Sequence, residues 1–206
     1  MAISYPLSLP TTAGIMRVRL IANDVVGVSQ SPFTAVQQVY RYTGQFWEAD
    51  ITLPPMKRAD AEYWISFLLK LNGPYGTFLM GDPNGATARG AATGTPLVNG
   101  AGQTGNELVT DGWTTSTTGI LKAGDYIQLG AAATARLYKV LDDVNSDGSG
   151  NATLTLWPDL RSAPADNAAI TVSDTKTNFR LTSAQTGWDI NEATIYGLTF
   201  GAREAL

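Results

Sequence analysis

The densest run of oxygen-bearing side chains in the sequence is Asp143, Asn145, Asp147 and Asn151. Their spacing matches the first, third, fifth and ninth places of a calcium-binding loop, and Gly148 stands at the obligate sixth. Leu154 stands at the twelfth place, where such a loop needs a bidentate glutamate, and both flanks alternate as strands rather than helices. The run therefore reads as a hairpin turn, because Asn, Asp, Ser and Gly tolerate tight and left-handed backbone. No metal is expected. Asp142 and Asp143 are neighbours and point to opposite faces of an extended chain, so by themselves they form no glycosidase acid–base pair. Trp113, Tyr126, Tyr138 and Trp157 could make a sugar-stacking platform, although aromatics in small β domains more commonly fill a core or an interface. The glycines of residues 85–105 lack the Gly-Lys-Ser/Thr sequel and the strand–helix context of a phosphate cradle.

The chain contains no histidine and no cysteine. That removes the Ser-His-Asp triad, His-ligated metals, thiolate catalysis and disulfides together, and leaves the redox compartment undetermined. The expectation is a non-enzymatic protein with no catalytic residue and no cofactor. Net charge is −4, and the 14 Lys and Arg are scattered without a basic run, so nucleic acid is set aside as a partner. Residues 1–10 lack a basic stretch followed by an apolar one, and no segment approaches about 18 apolar residues in a row. Neither a membrane span nor export is expected.

The elements that must position any site are read from period and punctuation. Residues 14–28 alternate, with Met16, Val18, Leu20 and Ala22 on one face. Residues 35–42 form a second strand, and after an expected turn at Thr43 and Gly44 a third buries Trp47, Ala49 and Ile51. Pro54-Pro55 ends that strand. Residues 56–72 carry a helix, with Ala61, Trp64, Ile65, Leu68 and Leu71 at helical spacing and Gly73-Pro74 as its stop. Phe67 and Leu69 widen its apolar face beyond the usual third, which makes them the candidate subunit-interface residues. Residues 75–80 read as a returning strand.

Composition shifts at Gly81. Residues 81–118 are rich in Gly, Thr, Asn and Ala, and are either a linker or short strands between loops; the pairs Leu97-Val98 and Leu108-Val109 favour strands. Strand signals recur at residues 126–129, 135–140, 152–157 and 169–172, a spacing that suggests a small barrel or sandwich. Residues 179–181 and 188–200 are again β. The first unit is short of strands to cover its helix, so these late strands are expected to return to it. The expected organisation is mainly β, with a first domain over 1–84 and 174–206 and an inserted small, OB-like β-barrel over 85–173. Apolar residues make up 44% and charged residues 16%, below the roughly 25% charged fraction of soluble domains. Such a balance suits a surface covered by copies of itself.

Several phrases carry a likeness: Leu53-Pro-Pro-Met56 before the Trp64 helix, Phe78-Leu-Met-Gly81-Asp82-Pro83, Leu121-Lys-Ala-Gly124-Asp125-Tyr-Ile127, Leu156-Trp157-Pro158, Phe179-Arg-Leu181 and Trp188-Asp-Ile190-Asn-Glu192. Together they resemble the distal tail proteins of long-tailed phages, from about residue 36 onward. The resemblance implies a β-sandwich-like ring domain with one helix and an inserted barrel outside the ring. It implies a homohexameric ring in the virion tail tip, made and assembled in the host cytoplasm. Its partners would be the tail tube protein, the hub or baseplate protein and, further off, the tape measure protein. Two readings from other classes stand beside it. One is a carbohydrate-binding module using the four aromatics. The other is a tail-associated glycan hydrolase, which would need two carboxylates about 5 to 9 Å apart in a cleft.

Overall fold

The computed structural model describes residues 3–206, so the first two positions of the unit expected over 1–84 lie outside the described residues. The fold is mainly β, with 42% of residues in strands and a single α-helix. In chain order the strands are β1 (Leu7–Ser8), β2 (Arg17–Gln30) and β3 (Gln37–Thr52), followed by α1 (Arg58–Lys70) and β4 (Phe78–Met80). Then come β5 (Gly94–Val98), β6 (Glu107–Trp113), β7 (Tyr126–Leu129), β8 (Arg136–Val140), β9 (Ala152–Trp157) and β10 (Ile170–Thr171). The chain closes with β11 (Thr177–Leu181), β12 (Asp189–Ile190), β13 (Tyr196–Gly197) and β14 (Thr199–Glu204).

Two six-stranded sheets result. One has the order β1-β4-β11-β14-β3-β2 and is built from both ends of the chain; the other has the order β10-β7-β8-β9-β6-β5 and comes wholly from the middle. A bridge between Leu97 and Ala169 brings the edges of the second sheet together, so it nearly closes into a barrel. Inside lie Val98, Leu108, Ile127, Tyr138, Leu154 and Leu156, facing inward as a small filled barrel requires, joined by Trp113 beyond an irregularity in the β5–β6 pairing. The chain enters the barrel from β4 and leaves it into β11, which are hydrogen-bonded neighbours with Met80 opposite Thr177. A Cβ on Gly81 would collide with the Thr175 carbonyl, so this crossing requires glycine.

The first sheet buries one face. Ala49 and Ile51 of β3, Phe78, Phe179, Phe200 and Ala202 lie on it, and α1 covers one end of that face with Trp64, Phe67 and Leu68. The helix has Asp60 in its first turn and Lys70 in its last, both favourable to its dipole. It ends where Asn72 and Gly73 take positive φ, just before Pro74.

The other end of the face is covered by the barrel, and here the contacts are polar as well as apolar. Trp47 donates its indole N–H to the Leu137 carbonyl at 3.1 Å and packs edge-on against Trp157, with ring centroids 4.4 Å apart. The Glu204 carboxylate accepts the Trp47 amide at 3.1 Å and a 2.8 Å ion pair from Arg161 of the barrel, while the Thr177 hydroxyl lies 3.2 Å away. Both side chains of that pair are almost fully buried, Glu204 completely.

Two expectations are corrected. No turn exists at Thr43 and Gly44: β3 runs unbroken, and the reversal lies at residues 31–36, closed by Ser31 N–H to the Val36 carbonyl. The register slips between Asn23 opposite Phe46 and Val25 opposite Tyr42, so Asp24 alone faces Thr43, Gly44 and Gln45. This bulge shifts the apolar phase from Tyr40 and Tyr42 to Trp47, Ala49 and Ile51, which in sequence looks the same as a turn. Residues 188–200 are likewise not one strand, because β12 and β13 form a small hairpin of their own, tied at Asn191, before β14 begins.

Removing the guanidinium leaves a buried carboxylate without its counter-charge, a change that costs about 3 to 5 kcal/mol in comparable pairs. Arg161→Ala is therefore expected to lower the urea midpoint markedly, by a margin several times that of Arg19→Ala, which removes the exposed pair with Asp50. Equal small effects would show that the pair does not join sheet to barrel.

Candidate functional site

Beyond the bulge, β2 and β3 continue as a two-stranded ribbon. The pairing of β14 with β3 stops at Glu48, so residues 25–30 and 37–42 have only each other. Side chains opposite one another share a face. Val26, Val28 and Val39 stand on one face with Arg41; Val25, Tyr40 and Tyr42 stand on the other with Gly27, and all six of these large apolar residues are exposed. Phe33 at the tip is 95% exposed. The outer edge of β2 is paired with no strand among the described residues.

The base of this arm is held by the barrel. Gln45 donates to Asp24 at 2.6 Å and accepts the Asp159 amide at 2.8 Å, Trp157 donates its indole N–H to Asp24 at 3.0 Å, and Arg41 pairs with Asp159. The bonds from Gln45 and then Trp157 hold the Asp24 carboxyl below its usual range.

At the same place the sheet and the barrel leave a groove of about 770 Å³. Val18, Leu20, Ala22 and Trp47 form its sheet side; Tyr126, Lys139, Leu141 and Trp157 form its barrel side, with Asp82 and Asn84 near its rim. Lys139 Nζ sits 4.4 Å over the Tyr126 ring and donates to its hydroxyl at 2.9 Å. Burial, and then the charge of Asp82, push the Tyr126 phenol well above its ordinary value, so it is a neutral hydroxyl.

The four candidate sugar-stacking aromatics are not brought together. Trp113 and Tyr138 are buried in the barrel core, where Trp113 donates to Thr110 and the Tyr138 hydroxyl accepts the Arg161 amide. Their strands turn those positions inward. Only Tyr126 and Trp157 line the groove, and Tyr126 is buried at its floor. Of the two candidate interface residues, Phe67 is corrected to a core residue, edge-on to Trp64 and Phe78 at 5.9 and 5.6 Å. Leu69 is 53% exposed and remains on the surface.

In the run 143–154 the side-chain oxygens are occupied by the protein itself. Asp143 accepts the Ala123 amide and the Lys122 ammonium, Asn145 accepts the Gly119 amide, and Asp147 accepts the amides of Ser149 and Asn151. These amide bonds lower the Asp143 and Asp147 carboxyls, with Lys122 adding to the first. Leu154 points into the barrel core. Among the described residues no group of three or more acidic, His or Cys side chains is gathered for a metal ion, and no helix is long and apolar enough to cross a membrane. Asp125, which sequence reasoning did not single out as a site residue, is a buried carboxylate accepting the amides of Arg89, Gly90 and Lys122, and it ties the segment before β5 to the turn before β7. Neither a family model nor a curated protein sequence matches the chain.

Asp24 binds its proton less tightly in the fold than in the unfolded chain, so the contact stabilises above the ordinary carboxylate range near about pH 4. That contribution is lost as pH falls through the lowered value. Acidification is expected to change tryptophan emission as the Trp157 bond is released, and Asp24→Asn, which cannot titrate, should lack that component. Superimposable acid titrations of the two proteins would show that Asp24 does not hold the arm to the barrel.

Proposed function

We propose that the chain is a non-enzymatic structural component of a phage tail tip, of the distal-tail kind. It assembles with copies of itself into a closed ring between the tail tube and the distal hub or baseplate. The observation that carries this reading is the bare arm. A two-stranded ribbon is marginal in water without a third strand or a covering layer. Here the ribbon exposes large apolar side chains on both faces and at its tip, and β2 offers a long unpaired edge beside it. Surface of this kind marks association rather than solvation. The sixfold symmetry, the tail tube protein, the hub or baseplate protein and the tape measure protein as neighbours follow from the resemblance alone.

A carbohydrate-binding role is the second reading, favoured by one feature: Trp157 shares its groove with Asp82, Asn84 and Lys139, an aromatic wall beside polar groups. Titrating tryptophan fluorescence with host polysaccharide tests it.

For the ring, native mass measurement of the full chain, alone and with tail-tube protein, is expected to give a single closed oligomer. Replacing residues 26–41 by an Asn-Gly turn should leave a folded monomer, since those residues cover no core. A monomer at high micromolar concentration, with no assembly on adding tail-tube protein, would sink the ring and leave carbohydrate binding as the better account.

A further inference from the structure

We infer that the groove between sheet and barrel is the receptor for the arm of a second copy, with Phe33 as its anchor. This rests on the self-assembly reading and adds to it the acceptor surface.

The arm cannot serve its own groove. From Asp24 to Phe33 the ladder is unbroken beyond the bulge, and at about 3.3 Å per residue the tip stands roughly 30 Å from the groove it rises beside. The occupant must come from another molecule. Donor and acceptor are then different surfaces of one chain, which makes a head-to-tail contact, the kind that closes into a ring when the rotation between neighbours allows.

Charge selects the occupant. Residues 25–40 carry no charged side chain. The charges of the groove are already engaged within the chain: Asp24 by Gln45 and Trp157, Lys139 by the Tyr126 ring and hydroxyl, Asp82 by the Asn84 amide. Those bonds can stay in place while a neutral apolar segment covers Val18, Leu20 and the Trp157 ring, which line the groove.

The tip is built for presentation. Ser31 Oγ accepts the amides of Phe33 and Thr34, each at 3.3 Å, and the Ala35 amide bonds the Ser31 carbonyl at 3.0 Å. A turn ordered before contact loses little freedom on binding, and a rigid aromatic entering a pocket is the usual form of a hot spot.

The test uses the full chain with benzoyl-phenylalanine in place of Phe33, assembled from an equal mixture of isotope-labelled and unlabelled protein. Irradiation is expected to join position 33 to residues 15–24, 82–84 or 139–141 of a different copy. Leu141→Glu and Met16→Glu, both at exposed positions of the groove wall, should weaken self-association by about 30-fold with an unchanged circular-dichroism spectrum. An intact oligomer whose cross-links fall elsewhere, or only on tail-tube protein, overturns the receptor and leaves the ring standing. A chain that stays monomeric under every condition overturns both.

Discussion

The geometry of the molecule depends on one buried carboxylate. Glu204, at the end of β14, accepts the Trp47 amide and the Arg161 guanidinium with the Thr177 hydroxyl beside it, so it touches the sheet and the barrel at once. Burying such a charge is unfavourable by several kcal/mol unless the geometry is good, which leaves little freedom in how the two sheets sit. The rest follows in sequence. Trp47, fixed by its amide and its indole, sets Trp157; Trp157 and Gln45 set Asp24; and Asp24 is the lone residue on the short side of the bulge. A bulge bends and re-aims its strand. Glu204 thus stands at the head of a run of contacts that ends at the bulge from which the arm departs.

Apolar surface is distributed unevenly over this frame. The barrel has a core of its own: Trp113 and Tyr138 face inward while Tyr126 and Trp157 face the first sheet, its closing loops are tied by Asp125, Asn145 and Asp147, and its long loop is held by backbone amides and the Lys122 ammonium. The far side of the first sheet is polar, with Arg19 near Asp50 and Arg203 over Phe46. Eight of the eighteen exposed large apolar residues among those described lie on the arm, the densest such group in the sequence, and the others are spread over the rest of the surface. The uncharged stretch of the chain over residues 25–40 coincides with that group.

Much of the architecture was legible in the sequence because the signals were local. The strands β7 and β9, the helix with its Gly73-Pro74 stop and the short strands at Leu97-Val98 and Leu108-Val109 all follow from period and punctuation. The misreadings share one physical source, the inability of a period to say what lies opposite. A bulge and a turn both shift the phase of alternation, so Thr43-Gly44 read as a reversal although β2 continues beside it. Phe67 widened the apolar stripe of α1 and pointed to a partner, yet Phe78 from a strand read separately is what meets it. Trp113 and Tyr138 are chemically suited to sugars, and only the curvature of the barrel turns them inward. The groove was not legible at all, since its walls come from segments far apart in the chain. The nearest clue to the arm is the absence of charge over residues 25–40, although the strands at 14–28 and 35–42 read as ordinary half-buried ones.

The crossing at Gly81 has a mechanical consequence. The barrel hangs from β4 and β11, adjacent strands of one ladder, and β11 in turn lies against β14, whose last residues carry the Glu204 contact back to the barrel. Tension drawn through the barrel along these strands is shared by two parallel tethers and slides β11 lengthwise against β14. The bonds of that ladder are then strained together rather than peeled in turn. The insertion is thus held by two side-by-side crossings and by the Glu204 contact, not by a single strand.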